Sequence, residues 1–255
     1  STPLYSSAAS DVYKRQPLDR SLGRRAIDLS RKGETAMDHH EKTFAKTVEI
    51  KKEVEIPFRT YFPNGYSERG EEHPLLLFLH GAGERGSDLK RLAATGLPKH
   101  IEDGLDIPFV TVCPQCPEND WWDPIALKAL CENVVTTYNV DESRLYLSGL
   151  SMGGSGTWQL ANILYERLAA IAPVCPPFGF VNPANFKDLP VWCFHGAMDS
   201  VIPVSDSVKM VRLLRSGGCN VKFTVYPDAD HDSWTETYTN PALYDWLLEH
   251  TNNGE

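Results

Sequence analysis

Apolar residues gather into short, nearly continuous runs along most of this chain, at 75–80, 108–113, 145–150, 170–175, 191–195 and 221–226, the last carrying Lys222 and Thr224. Runs of that length, bounded by turn residues, mark strands covered on both faces. Stretches of helical character lie between most of them, near 88–102, 124–138, 153–168 and 204–216. A last one, near 241–250, begins with Pro241 at a favoured first-turn position. Strand–helix alternation predicts a mostly parallel central sheet with helices on both faces. Ligands of such sheets sit at the carboxyl ends of the strands. The pattern before residue 63 differs: Thr47–Ile56 and Phe58–Phe62 alternate apolar and charged positions, which predicts a half-exposed antiparallel pair. Pro63-Asn64-Gly65 then supplies turn chemistry.

Residues 1–36 show little periodicity and mix Ser, Arg, Lys and Asp, so they are expected to be a flexible or non-native N-terminal segment. Ser6–Gln16 resembles the adaptor read-through of translated metagenomic fragments, and Met37 is a candidate natural start. No linker divides the region after residue 44, so residues 37–255 read as one domain.

The chemistry enters at Gly149-Leu150-Ser151-Met152-Gly153, a Gly-x-Ser-x-Gly between an apolar strand and a helical stretch. Strand, sharp turn, helix is the setting of a nucleophile elbow, which exposes the serine hydroxyl at a helix N-terminus. A serine needs an adjacent base, itself oriented by a carboxylate. Asp199 follows the strand at 191–195, and His231 follows the strand at 221–226. His80 and His195 each end a strand before Gly-Ala and are read as loop braces. Asp228, Asp230 and Asp232 crowd His231 in sequence, but Asp199 has the strand-end position. The backbone N–H groups of Met152 and Ala82 are the expected oxyanion donors, with Gly83 as the alternative to Ala82. Glu84 and Arg85 are expected to pin that loop as an ion pair. Trp121 and Trp122 are candidates for lining a pocket for an aryl or sugar group, the alternative being that they cover the helix beneath them. Trp158 is expected in the core.

His80-Gly-Ala-Gly-Glu-Arg-Gly-Ser-Asp88, Gly149-Leu-Ser-Met-Gly-Gly-Ser-Gly-Thr-Trp158 and His195-Gly-Ala-Met-Asp199 resemble the α/β-hydrolase carboxylesterases often labelled predicted peptidases. These are relatives of feruloyl esterases and polyhydroxyalkanoate depolymerases. The resemblance spans residue 44 to the C-terminus. It implies an α/β-hydrolase fold and a serine carboxylesterase acting on short-chain or compact esters. Ser151 is then the nucleophile, His231 the base and Asp199 the acid, with no metal and no organic cofactor. Pro176-Pro177-Phe178 departs from the family, where glycine is usual. The segment between the strands near 174 and 191 is too short for a helical cap, so no large lid is expected. Feruloyl or carbohydrate esterase, serine peptidase, and a non-catalytic binding protein on the same scaffold are the alternatives.

Composition narrows this little. The net charge of −9 disfavours non-specific nucleic-acid binding and adsorption to anionic membranes but does not identify a substrate; a small-molecule ester is the partner that the resemblance implies. No apolar stretch is long enough to span a bilayer. Of the six cysteines, Cys113 and Cys116 form a Cys-x-x-Cys, but no second pair or nearby histidine completes a zinc set. Oligomeric state and compartment are not legible.

Overall fold

The computed structural model describes residue 44 and residues 51–252. The expectations for residues 1–36, for Met37 and for Thr47–Ile50 lie outside the described residues. The elements in chain order are β1 (Phe58–Tyr61), β2 (His73–Leu79), α1 (Gly96–Glu102), β3 (Val110–Pro114), α2 (Pro124–Thr137), β4 (Val140–Leu150) and α3 (Met152–Leu164). They continue with β5 (Ala170–Val174), β6 (Val191–Gly196), α4 (Ser205–Ser216), β7 (Val221–Tyr226), α5 (Trp234–Thr239) and α6 (Pro241–Leu248).

The strands form one seven-stranded sheet in the order β1-β3-β2-β4-β5-β6-β7. Only β1 runs antiparallel, against β3; every other neighbour is parallel. The apolar runs now have their cause. Leu75, Leu77 and Leu79 of β2 join the core on one face, with residues of α2, α3 and α4. Leu76 and Phe78, between them, join the core on the other, with residues of α1, α5 and α6. A strand alternates its side chains between faces, so covering both faces demands an unbroken apolar sequence.

Three elements depart from expectation. Residues 51–56 carry no strand, and β1 pairs instead with β3, from Phe58 opposite Pro114 to Tyr61 opposite Thr111. The β3 edge offers a full ladder there, which an isolated hairpin could not match. The helix expected over 88–102 is broken into a 3-10 segment, Leu89–Ala94, and α1, with Gly96 in the left-handed region at φ 65°. Finally, α5 was not foreseen. Asp232 opens it by accepting from the Thr235 backbone N–H at 2.9 Å, an N-terminal device hidden inside a loop rich in aspartate. Residues 175–190, between β5 and β6, hold only the 3-10 turn Pro183–Phe186, so this segment forms no helical lid.

Candidate active site

The end of β4 sets the geometry. Ser151 takes φ 54° and ψ −117°, a strained backbone for any residue with a Cβ, costing about 1–3 kcal/mol. Its N–H donates to the Val174 carbonyl at 2.9 Å, so β5 holds the turn closed. Gly153 makes the turn feasible: a Cβ there would lie 2.0 Å from the Leu79 carbonyl oxygen. The hydroxyl is thereby presented at the N-terminus of α3, over the carboxyl ends of the central strands.

His231 reaches it from the loop after β7. Its Nε2 lies 3.0 Å from Ser151 Oγ, and its Nδ1 lies 2.8 Å from Asp199 Oδ2. A carboxylate only accepts, so Nδ1 carries the hydrogen and Nε2 is free to accept from the serine. The imidazole also packs edge-on against Trp234, 5.2 Å between centroids. The Asp199 side chain is fully buried. Its Oδ1 accepts from the backbone N–H groups of Val201 and Ile202 at 2.9 and 2.8 Å. Gly196 permits the acid loop and the histidine loop to meet, since a Cβ there would lie 2.2 Å from the Asp230 carbonyl oxygen.

The neighbouring aspartates have other work. Asp230 accepts from the backbone N–H of Ser200 at 2.7 Å and of His231 at 2.8 Å, tying the two loops together. These bonds, that from the Ser200 backbone foremost, lower the pKa of Asp230. Asp232 opens α5. Neither carboxylate is bonded to the His231 ring among the described residues.

Ala82 and Met152 each occupy the first position of a helical turn, where a backbone N–H has no intrahelical acceptor. The loop carrying Ala82 lies against the elbow, for a Cβ on neighbouring Gly81 would come within 2.8 Å of the Leu150 side chain. Several residues brace this loop. His80 is buried; its Nδ1 meets the Gly81 carbonyl at 2.5 Å and its Nε2 accepts from the Cys116 N–H at 3.0 Å. The Gln115 amide donates to the carbonyls of Glu84 and Asp88, both at 2.9 Å. Arg91 donates to the Gly83 carbonyl at 2.8 Å. Gln115 and Arg91 escaped sequence reasoning because they act on main-chain carbonyls, which leave no pattern of residue types.

One expectation needs correction. Glu84 and Arg85 do not pair. Arg85 donates to the carbonyls of Ala82 and Asp120 at 3.0 and 3.2 Å, whereas Glu84 is buried with its carboxylate 3.9 Å from His80 Nδ1. Trp122 lines a cavity together with Trp121, but from a buried position. It is 5% exposed, its ring lies 4.7 Å from that of His80, and its indole N–H donates to the His80 carbonyl at 3.2 Å. An indole buries well only when its N–H finds such a partner. Trp121 is half exposed, at the rim of a cavity of about 150 Å³ shared with residues 52–56 and the loop after β3. Trp158 is buried in the core as expected.

Among the described residues one set of metal-ligating types converges: Cys175, Asp199 and His231 place a sulfur, a carboxylate oxygen and a ring nitrogen within 4.8 Å of one another. Two of the three already bond each other, and burial pushes the Cys175 thiol far up, keeping it protonated. All six cysteines are free and buried, and burial also raises the Cys113 thiol and pushes Cys116 up to about 11. This Cys-x-x-Cys is packing.

Burial lowers the pKa of His80 to about 4. The unfolded chain binds a proton there near pH 6.5 and the folded chain does not, so stability falls as pH drops through that window. Between pH 7 and pH 5 this group alone removes about 2 kcal/mol. Urea unfolding of the wild type and of His80→Gln at both pH values checks it. The variant should lose about 2 kcal/mol less on acidification, and equal losses would refute the assignment.

A model of the prolyl oligopeptidase family matches residues 179–254. A bifunctional acetylxylan esterase/xylanase of Neocallimastix patriciarum is 37% identical over 137 residues, 51% of this chain and 20% of that protein. The chain spans about a fifth of the curated relatives it matches, 20% and 23% of their lengths. Among solved structures, a thermostable esterase superposes with a TM-score of 0.66 at 32% identity, covering 78% of this chain and 60% of that one. Est1E from Butyrivibrio proteoclasticus superposes with a TM-score of 0.56 at 16% identity, over 77% of this chain and 94% of that one. Sheet order, elbow and superpositions together make the architecture an α/β-hydrolase fold.

Proposed function

We propose that this α/β-hydrolase chain is a serine carboxylesterase that cleaves short or compact acyl esters through an acyl-enzyme. The observation that carries the reading is the continuous chain of hydrogen bonds from Asp199 through His231 to Ser151 Oγ, at 2.8 and 3.0 Å. In this reading Ser151 Oγ attacks the ester carbonyl as His231 Nε2 takes its proton. The N–H groups of Ala82 and Met152 hold the negative oxygen of the tetrahedral intermediate. That intermediate collapses and expels the alcohol, which leaves with the proton from His231. Water then repeats the sequence on the acyl-enzyme: His231 takes its proton, the hydroxyl adds to the carbonyl, and Ser151 departs reprotonated with release of the carboxylic acid. Asp199 holds Nδ1–H throughout and stabilises the imidazolium. No step calls on a cofactor.

The likeness to an acetylxylan esterase/xylanase and to a thermostable esterase supports ester over amide cleavage and a small acyl group. The lack of a helix between β5 and β6 supports the same preference, because an enzyme working at an oil–water interface usually shields a broad apolar surface beneath a mobile lid. Trp121 at the rim leaves room for an aryl or sugar-linked ester. The match to the prolyl oligopeptidase family over the acid and histidine strands makes a peptide the competing substrate. A chain-length series of p-nitrophenyl esters, run beside a triglyceride emulsion and a peptide, decides. Acetate and butyrate should give the highest kcat/KM. A maximum at long chains, or efficient peptide cleavage, would overturn the assignment.

A further inference from the structure

His195 ends β6, four residues before Asp199, and is completely buried. Nothing in the reaction above uses it, yet each ring nitrogen has a partner. Nδ1 lies 2.7 Å from Ser207 Oγ on α4. Nε2 lies 2.9 Å from the Ile202 carbonyl oxygen and 3.2 Å from Asp199 Oδ2. A carbonyl and a carboxylate can only accept, so Nε2 must carry the hydrogen and Nδ1 must accept from the Ser207 hydroxyl. The Cys193 thiol, 3.5 Å from Ser207 Oγ, supplies a donor to that hydroxyl in turn. Donor directions are therefore ordered from Cys193 through Ser207 to His195, and they end on the Ile202 carbonyl, beside the acid of the triad. Burial lowers the pKa of His195, which keeps the ring neutral.

We propose that His195 is a positioning residue for ester hydrolysis: its Nε2–H, held by the Ile202 carbonyl and facing Asp199 Oδ2 at 3.2 Å, steadies the carboxylate that orients His231. This inference rests on the esterase reading of the same site. Ile202 is the joint of the device. Its N–H donates to Asp199 Oδ1 at 2.8 Å while its carbonyl accepts from His195, so the acid turn is clamped from both ends. Asp199 Oδ2 then accepts from His231 at 2.8 Å and faces a second imidazole N–H, that of His195, at 3.2 Å. The second donor offsets part of the negative charge that His231 sees. With it removed, the carboxylate stabilises the imidazolium more strongly, and a higher pH is needed to free Nε2 as a base. The other titratable groups facing this pair are Asp230 in the histidine loop, Cys175 at the end of β5 and Cys193 on β6. Substitution at 195 leaves all three in place, so the shift reports the lost donor.

The test compares His195→Leu, which fills the volume without a donor, with His195→Gln, whose amide returns an N–H near the Nε2 position. Activity on p-nitrophenyl acetate is measured across pH and divided by the fraction of Ser151 titrated with a fluorophosphonate. Normalised kcat of His195→Leu should fall about ten- to a hundred-fold with KM within about two-fold. The acid limb of its kcat/KM profile should rise by about half a pH unit. His195→Gln should recover most of both. An unmoved pH profile, or a glutamine no better than leucine, overturns the proposal. Nitrogen NMR of the wild type gives a second readout that needs neither variant to fold nor any activity. At neutral pH the His195 ring should be the Nε2–H tautomer, and it should titrate below a free imidazole, which does so near 6.5. Titration at or above the free value, or an Nδ1–H tautomer, overturns it. A wild type that takes no fluorophosphonate would instead sink the esterase reading and leave the tautomer result standing.

Discussion

Ser151→Ala loses about a million-fold in turnover on p-nitrophenyl acetate, by comparison with other triad enzymes. The fold should tolerate the change. The elbow is held by the main-chain bond from Ser151 N–H to Val174 and by the glycine at 153, neither of which involves the hydroxyl. Alanine meets the same positive φ as serine, so no new strain arises. What disappears is the hydroxyl from which His231 Nε2, 3.0 Å away, can take a proton. The nearby Cys175 cannot substitute, because burial keeps its thiol protonated and beneath the surface. Residual activity of about a thousand-fold over water should persist from the two oxyanion donors and binding. A fluorophosphonate should label the wild type once and the variant not at all. Covalent labelling of Ser151→Ala would place the nucleophile elsewhere.

Much of the sheet was legible because its strands are covered twice. An unbroken apolar run such as Leu75–Leu79 has no reading as a surface hairpin, and β2 to β7 fall where these runs do. The edge was not legible: β1 has the same alternation whether its partner is the preceding segment or β3, and only tertiary pairing decides. Ser151, His231 and Asp199 could be picked out because each follows a strand that the pattern locates, and the structure brings the three side chains into one hydrogen-bonded chain. The tryptophans illustrate the limit. Trp121 and Trp122 are adjacent in a loop and identical in type, yet one is half exposed and the other seals His80 beneath the oxyanion loop. Which of two neighbours turns inward depends on the loop's backbone path, and no residue pattern records that. Arg85 failed for a related reason. Its acidic neighbour in sequence suggested an ion pair, whereas the competing acceptors are carbonyls that every residue carries.

Asp199→Asn should cost about ten-thousand-fold in turnover, while Asp230→Asn and Asp228→Asn stay within about ten-fold. The reason lies in which way the new amide must face. At the Oδ1 position stand two backbone donors, the N–H groups of Val201 and Ile202 at 2.9 and 2.8 Å. An NH2 group cannot sit there without opposing both, so the amide oxygen takes that place and the NH2 occupies the Oδ2 position, where His231 can move its hydrogen and His195 keeps its own on the Ile202 carbonyl. It then points a donor at His231 Nδ1. The imidazole answers by moving its hydrogen to Nε2, where it faces Ser151 Oγ and can no longer accept the serine proton. The site is intact in outline and inverted in its protons. Asp230 offers no such lever. Its bonds run to main-chain N–H groups and to the Ser200 hydroxyl, which the oxygen of an asparagine can still accept in part. Asp230→Asn should therefore loosen the contact between the two loops without changing the tautomer of His231. Steady-state kinetics of the three variants, beside their unfolding midpoints, separate the cases. If Asp230→Asn or Asp228→Asn costs more turnover than Asp199→Asn, the acid of this site has been misassigned.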